Sequence, residues 1–413
     1  MAHLASYVGE TARQVSGTIK RKDMATAKRI LYVLRHDPWG RGGGCYACRS
    51  YLEAFGEVFA GATIDACVCA EYLVGAHTEL FPGVRFIPVE PRSNVQRLMI
   101  PLTQVLHRHQ STVVRLLRER RYDYVVFDDN CIAGSLVRHC REAGVRTVVI
   151  NHNCEVEYFR DNMSVMKGLA LLPAVRNNER RSYLGCDVNI FLTEEDRDTF
   201  ARMYGKSRTR AVIGGCFLRR DEEIVCEERP EATRKSNGRL TAVISGTIGN
   251  VQNMDGINIF LDELYPVLPT DIDVVITGQR PPEGFAERLK AYARVTLVPD
   301  PDDILDVVRR ADIFVCPTRL GGGMKLRIID GLTQGLPVVA HRVSARGYTA
   351  FERRGMLRTY DTPATFARAV EQTIAALAAG TLRRETIAAA AREAFAFDTA
   401  VSLLRDALTG QGI

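Results

Sequence analysis

Short runs of β-branched and other apolar residues alternate with amphipathic stretches along most of this chain. Such alternation predicts parallel sheets whose strands are joined by crossover helices. In the first half, the predicted strands are 29–34, 63–68, 124–127, 146–150 and 187–191. In the second half, they are 240–244, 273–276, 295–298, 312–316 and 337–340. The pattern therefore predicts an α/β protein with two doubly wound, Rossmann-like domains in tandem.

Polar stretches divide the chain around these two sets of strands. Residues 1–28 lack the apolar run of a secretory signal and form a predicted polar extension. Residues 29–218 form the predicted first domain, and residues 239–382 the second. Residues 219–238, rich in Glu and Arg, form the predicted linker. Residues 383–413 carry apolar positions at helical spacing, so we expect them to cross back and pack on the first domain.

Composition narrows the class of protein. The chain has 413 residues, 46% of them hydrophobic and 25% charged, and no window has the ~18 uncharged apolar residues of a membrane span. A net charge of +6 is too small to indicate nucleic-acid binding. Eleven cysteines, an odd number in a long chain, favour reduced thiols. We expect a cytoplasmic protein without structural disulfides, with peripheral contact at the inner face of the membrane as an option.

The sharpest chemical motif follows the predicted strand 312–316. Gly321–Gly323 leave backbone N–H groups open to an anion, and a helix predicted from about Met324 adds its dipole there. Asp330 lies about one and a half turns beyond Lys325, within reach of a ribose diol. A tight turn with solvated cations is the alternative, but three cations and an acid favour a nucleoside diphosphate. The cations are Arg319, Lys325 and Arg327.

Residues 317–339 resemble the nucleotide-sugar site of the family-4 retaining glycosyltransferases, which have the GT-B fold. The resemblance extends to 245–247, Asn253, 276–280 and 311–317. It implies two Rossmann-like domains facing across a cleft, with a C-terminal helix crossing back to the first. It also implies transfer of a hexose from a UDP- or GDP-sugar to a glycan or lipid-linked glycan, with retention, in cell-surface polysaccharide assembly.

The resemblance also implies roles for individual residues. Residues 39–44 look like the glycine loop that borders the donor phosphates, and 151–155 are similar to a His-Asn-x-Glu segment whose histidine borders the transferred sugar. The catalytic candidates are His152, Lys325 and Arg319. The donor-binding candidates are Gly43, Gly44, Gly246, Thr247, Asn253, Gly278, Arg280, Gly321, Gly322, Gly323, Met324, Arg327 and Asp330. The acceptor-binding candidates are Asn153 and Glu155, together with Asp128 and Asp129, which either bind sugar hydroxyls or cap a strand end.

The chain departs from the family pattern at three points. Two glutamates separated by seven residues are replaced by Gly322 and Asp330, and residues 245–255 contain no cation. A catalytically inert GT-B subunit that supports a partner transferase therefore stays open, as does a nucleotide-sugar epimerase or hydrolase. A Rossmann oxidoreductase is disfavoured because neither glycine cluster has the GxGxxG spacing.

Two patterns suggest metals without requiring them. Paired cysteines allow a zinc site, but helix and strand packing explains small buried thiols better. Asp300 and Asp302 form an Asp-x-Asp pattern suited to Mg²⁺, yet a role of Asp302 or Asp303 as the cap of a helix over 304–310 explains the pattern better. We predict chemistry that needs neither a metal nor another cofactor. The cysteines are Cys45, Cys48, Cys67 and Cys69.

Residues 97–121 carry six arginines against one acid, with apolar residues interspersed. This basic amphipathic segment suits anionic lipid headgroups and a lipid-linked acceptor. A solvated helix face is the alternative interpretation.

Overall fold

A computed structural model describes residues 28–40, 42–162, 165–220 and 238–409. The polar extension up to residue 27 and most of the linker, 221–237, lie outside the described residues. The described strands are β1 Arg29–Val33, β2 Thr63–Cys69, β3 Val84–Val89, β4 Tyr124–Phe127, β5 Arg146–Asn151, β6 Val188–Phe191, β7 Arg210–Ile213, β8 Leu240–Ser245, β9 Ile272–Gly278, β10 Val295–Pro299, β11 Ile313–Cys316, β12 Val338–His341 and β13 Leu357–Tyr360.

Helices connect these strands. The α-helices are α1 Gly43–Val58, α2 Asn94–Leu98, α3 Ile100–Thr103, α4 Gln110–Glu119, α5 Asn130–Glu142, α6 Glu155–Asn162, α7 Val165–Gly185, α8 Glu194–Tyr204, α9 Val251–Ile259, α10 Phe285–Leu289, α11 Ile304–Arg309, α12 Arg327–Thr333, α13 Thr349–Arg353, α14 Pro363–Ala378, α15 Arg384–Phe395 and α16 Phe397–Thr409. Within the described ranges, every helix is too short or too polar to span a bilayer.

The strands form two parallel sheets, one for each domain. The first sheet has the order β3-β2-β1-β4-β5-β6-β7, and the second has the order β10-β9-β8-β11-β12-β13. All ten predicted strands are present within two residues of their predicted ends, which confirms the two doubly wound domains. The sequence patterns missed β3, β7 and β13, which are all edge strands. Edge strands bury less surface and therefore carry a weaker apolar signal.

The strand order of each sheet reverses at one place, which creates a crevice at the carboxyl ends of two neighbouring strands. In the first sheet this switch point lies between β1 and β4, and in the second between β8 and β11. The loops after these four strands therefore approach the same region. They contain the glycine-rich turn and most of the candidate site residues.

The C-terminal helices connect the domains. Helix α15 packs on α12 of the second domain, and α16 packs on α1 of the first. The backbone N–H of Leu218 donates to the carbonyl of Phe395, which joins the end of the first domain to the start of the crossing. The crossing back is thus made by α16.

Candidate functional site

A cleft of about 830 Å³ lies between the two domains, a volume suited to a ligand the size of a nucleotide sugar. The four switch-point loops supply much of its wall. The cleft lining includes the predicted residues Gly43, Gly44, His152, Asn153, Glu155, Gly246, Thr247, Asn253, Arg280, Gly322, Gly323, Met324, Lys325, Arg327 and Asp330.

The glycine-rich turn forms the second-domain wall of the cleft. Gly321 and Gly323 have φ values of 80° and 68°, a left-handed backbone that favours glycine. Helix α12 begins at Arg327, three residues beyond the predicted start near Met324. The prediction that the helix dipole acts at Met324 is therefore wrong, and the charge at the turn comes from its side chains.

Lys325 is the most enclosed cation of this wall. Its side chain is 8% exposed, and Nζ donates to the carbonyl of Gly322 over 3.2 Å. Burial, followed by the repulsion of Arg327, lowers the pKa of Lys325 to about 8. A cation that is poorly solvated and next to another cation is stabilised when an anion binds beside it.

The loops after β8 and β9 are held together by a close backbone approach. A Cβ at Gly278 would lie 1.6 Å from the carbonyl oxygen of Gly246. Gly278 does not line the cleft; its missing side chain allows Gly246 and Thr247 to reach the cleft wall. The side-chain amide of Asn253 donates to the carbonyl of Thr247 over 2.7 Å, which fixes the same loop.

Arg319 lies apart from the cleft lining. Its Nε and Nη2 donate to Asp255 over 3.0 and 3.3 Å, and its side chain is 49% exposed. The structure therefore places this candidate in an exposed ion pair. Gly321 also lies outside the lining and packs against the side chain of Gln252.

The first-domain wall is built around a buried aspartate between two histidines. His152 Nε2 lies 2.8 Å from Oδ1 of Asp128, and His36 Nδ1 lies 3.4 Å from Oδ2. Burial alone would lower the pKa of His152, but the carboxylates of Asp128 and Asp129 outweigh it and hold that pKa above its usual range. The two imidazoles in turn overcome burial and hold the pKa of Asp128 well below its ordinary value.

This cluster also has the composition of a metal site. One ligand atom from each of His36, Asp128 and His152 lies within 4.8 Å of the other two, the one such group among the residues the structure describes. The 2.8 Å contact between His152 and Asp128 is a hydrogen bond that carries a proton. The cysteines of the zinc interpretation do not form such a group in the described ranges.

A second charged group lies beside the first. Arg35 pairs with Asp129 and lies 3.0 Å from Oε1 of Glu155. Burial raises the pKa of Glu155, against the attraction of Arg35. Asp129 also caps α5 by accepting from the N–H of Ile132 over 2.9 Å. Asp128 and Asp129 are 0% and 2% exposed, so they lie behind the cleft wall that Asn153 and Glu155 line.

The two walls touch at the glycine-rich turn. A Cβ at Gly323 would lie 2.6 Å from the carbonyl oxygen of His152, and one at Gly322 would lie 3.4 Å from Cβ of Asn153. Arg346 of the second domain and Glu157 of the first lie 3.8 Å apart. The glycine-rich turn thus rests on the segment that carries His152.

Sequence reasoning missed several cleft residues. Arg35 and His36 directly follow β1, at the carboxyl end of a switch-point strand, and that position was the available signal. Tyr46, Tyr158, Gln252 and Gln334 also line the cleft, with no local motif to mark them.

The remaining sequence candidates have structural partners. Asp303 caps α11, and Asp300 accepts from the N–H of Arg280 over 2.9 Å. The described cysteines are free thiols. Cys48, Cys67 and Cys69 are buried, which agrees with packing roles.

Comparison with known proteins agrees with this geometry. Residues 242–376, most of the second domain, match the family model described as Glycosyl transferases group 1. Among curated protein sequences, none matches the chain.

Solved structures resemble the whole chain. HepE of Anabaena in complex with UDP-glucose is 13% identical with a TM-score of 0.63, covering 92% of this chain and 99% of that one. Sucrose-phosphate synthase of Thermosynechococcus elongatus is 14% identical with a TM-score of 0.68, covering 91% and 97%. WaaG, a glycosyltransferase involved in lipopolysaccharide biosynthesis, is 16% identical with a TM-score of 0.61, covering 92% and 100%. These likenesses show the fold, which is GT-B.

Proposed function

We propose that this chain, which has the GT-B fold and a group 1 glycosyltransferase domain, transfers a hexose from a UDP- or GDP-sugar to a hydroxyl of a glycan or lipid-linked glycan. The observation that carries the proposal is the composition of the cleft. One wall presents the cationic glycine-rich turn, and the other presents a histidine held by a buried carboxylate. A diphosphate leaving group and a sugar require these two kinds of surface at one site.

The second domain binds the donor. Backbone N–H groups of Gly322 and Gly323, with Lys325 and Arg327, hold the diphosphate, while Asp330 accepts from the ribose hydroxyls. When the bond between the anomeric carbon and the diphosphate oxygen breaks, negative charge grows on the diphosphate. Lys325 stabilises that charge most because it is already desolvated. Gly246, Thr247, Asn253 and Arg280 border the nucleotide.

The first domain binds the sugar and the acceptor. His152 borders the transferred sugar, and Asn153 and Glu155 contact acceptor hydroxyls from the same segment. Because Asp128 and Asp129 are buried, the proposal gives them positioning roles instead of direct contact with acceptor hydroxyls. Asp128 positions His152, and Asp129 positions Arg35 beside Glu155. Both are positioning residues that do not touch the substrate.

Retention of the anomeric configuration and independence of metals belong to the same proposal. Retention is supported by the resemblance of residues 317–339 to the retaining family-4 site. Metal independence is supported by Lys325 and Arg327, which supply positive charge where a metal would otherwise act. Polysaccharide assembly is the proposed setting.

The test is calorimetric titration with a panel of UDP-, GDP-, ADP- and dTDP-sugars, with and without EDTA. We expect one class of donor to bind, unaffected by EDTA, and its sugar to be transferred to an acceptor with the same anomeric configuration by NMR. Binding without turnover would replace the proposal by the inert subunit. Release of free sugar or of an isomer without acceptor would replace it by the hydrolase or epimerase.

A further inference from the structure

Helices α2 and α3 of the first domain expose an unusual group of apolar side chains. Val95, Leu98, Met99 and Leu102 are 68, 79, 41 and 78% exposed. They are four of the ten exposed large hydrophobic residues within the described ranges, and they lie within eight positions of the chain. Contiguous exposed apolar side chains of this kind mark interaction surfaces.

Arginines lie beside these apolar side chains. Nη2 of Arg92 is buried and has no hydrogen-bond partner, and among the described residues no acid pairs with Arg92 or with the exposed Arg97. Burial, then the charges of Arg108 and Arg97, lower the pKa of Arg92, so the three cations repel one another. Arg108 is compensated by an ion pair with Glu71. A bound anion would relieve the repulsion at Arg92 and Arg97.

The loop that follows α3 reaches the charged group behind the first-domain wall of the cleft. His107 Nε2 lies 3.6 Å from Oδ1 of Asp129, the residue that holds Arg35 in the cleft wall. Burial lowers the pKa of His107 to about 3, and Arg35 and Arg92 both act on it in the same direction. His107 is thus close enough to the cleft residue Arg35 and to the surface residue Arg92 for both charges to act on it.

The rest of the basic segment predicted over 97–121 adds no exposed large apolar side chain among the described residues. Val113 and Leu116 of α4 are buried in the core. Arg115 pairs with Glu119, and Arg120 pairs with the buried Asp65. The combination of exposed apolar side chains with unpaired cations is found over residues 92–102, which include the start of this segment and the residues just before it. We call it the α2–α3 surface, which comprises Arg92, Val95, Arg97, Leu98, Met99 and Leu102.

We propose that the α2–α3 surface docks the first domain on an anionic phospholipid bilayer. Its apolar side chains enter the headgroup–acyl boundary while Arg92 and Arg97 contact lipid phosphates. A free phosphate ion would use the arginines but not the four apolar side chains, and an apolar protein partner would leave Arg92 uncompensated. The inference deepens the proposed function and rests on it in one respect: an acceptor reached from this surface is lipid-linked.

The test is co-sedimentation of the full chain with vesicles of phosphatidylcholine alone or mixed with phosphatidylglycerol. We expect binding only to the mixed vesicles. Arg92→Gln/Arg97→Gln and Leu98→Ser/Leu102→Ser should each weaken that binding by about tenfold or more. The matched controls are Arg354→Gln and Val267→Ser, which change exposed residues of the second domain. Both should bind the mixed vesicles as wild type does.

Three outcomes would overturn the inference: no binding of wild type to the mixed vesicles, equal binding of both double variants and wild type, or release by inorganic phosphate beyond that caused by sodium chloride at the same ionic strength. The last result would mean a simple phosphate site. The same preparations are titrated with donor sugars and checked by circular dichroism. If the wild-type protein bound none of the donor sugars, the proposed function would be overturned while the vesicle result would still stand.

Discussion

Asp128 Oδ1 lies 2.8 Å from Nε2 of His152, and the aspartate is completely buried behind the histidine. A carboxylate in this position accepts a hydrogen bond from the Nε2–H group and so orients the imidazole. The atom of His152 left for other contacts is therefore Nδ1. This contact joins the loop after β4 to the segment after β5.

We expect Asp128→Asn to reduce kcat about 10- to 100-fold, because a misoriented His152 misplaces the sugar. The KM for the donor should change less, since the proposed diphosphate site lies on the other domain. Steady-state kinetics checks this split. His152→Ala should be at least as damaging, and a fully active Asp128→Asn variant would refute the positioning role.

The same pair gives a pH-dependent stability. Because the pKa of His152 is raised in the folded protein, its ion pair stabilises fully below the unfolded pKa of about 6.5. That contribution is lost as the pH rises through the folded pKa. Asp128→Asn should therefore cost about 2 kcal/mol near pH 5.5 and less near pH 9. Urea unfolding at both pH values measures the difference, and an equal cost at both would contradict it.

Lys325→Ala should lower kcat/KM about 100-fold, because it removes the desolvated cation beside the leaving diphosphate. Arg319→Ala is the matched control: Arg319 is paired with Asp255 at the surface, so we expect an effect within about threefold. A larger loss of kcat/KM in Arg319→Ala than in Lys325→Ala would instead make Arg319 the more important phosphate ligand.

Donor affinity should fall as the pH rises above about 8, where free Lys325 loses its proton. Binding then requires proton uptake, at a cost of up to about tenfold per pH unit. Calorimetry in buffers of different ionisation enthalpy detects this uptake. Lys325→Arg keeps its charge and should abolish the dependence; if it persists, another group is responsible.

Gly278→Ala should destabilise the second domain by about 3 kcal/mol or more, since the new Cβ would overlap the carbonyl of Gly246 and φ is 145°. Gly56→Ala, the same change in the open interior of α1, should instead stabilise by about 0.5–1 kcal/mol. Thermal unfolding of both variants provides the comparison. Equal stability of the two would show that the close approach is not rigid.

Gly322 and Gly323 offer a second paired test. A Cβ at Gly322 meets Asn153 at van der Waals distance, whereas one at Gly323 collides with His152 and requires a left-handed backbone. Gly323→Ala should therefore lower kcat/KM about tenfold or more, and Gly322→Ala should change it less than about threefold. Small-angle scattering should show a more open Gly323→Ala protein; equal activities would argue against closure at this contact.

The sequence predicted the central strands because buried parallel strands are continuously apolar. Edge strands such as β3, which contains Pro88, lack that signal. The candidate site residues next to glycines or strand ends could be proposed from the sequence because turns and strand ends have local sequence signals. The start of α12 was predicted near Met324 but lies at Arg327, and no local sequence signal marks that difference.

Contacts between distant segments could not be predicted from the sequence. The ion pair of Arg319 with Asp255 joins residues 64 positions apart, and the burial of Asp128 depends on how the loops after β1 and β5 meet. The spacing of apolar residues along the chain carries no information about such contacts. Arg35 was missed for the same reason, since its significance comes from Asp129 and Glu155.

Gly323 contacts the carbonyl of His152 at the seam where the two walls of the cleft meet. In the proposed reaction, the turn that holds the spent nucleotide rests on the segment that carries the histidine, so release of the product on this side requires the two to separate. In the proposed reaction, each turnover therefore ends with the separation of the two cleft walls that together form the site. The two walls then come together again when the next donor binds, so the order of donor binding and product release depends on domain motion.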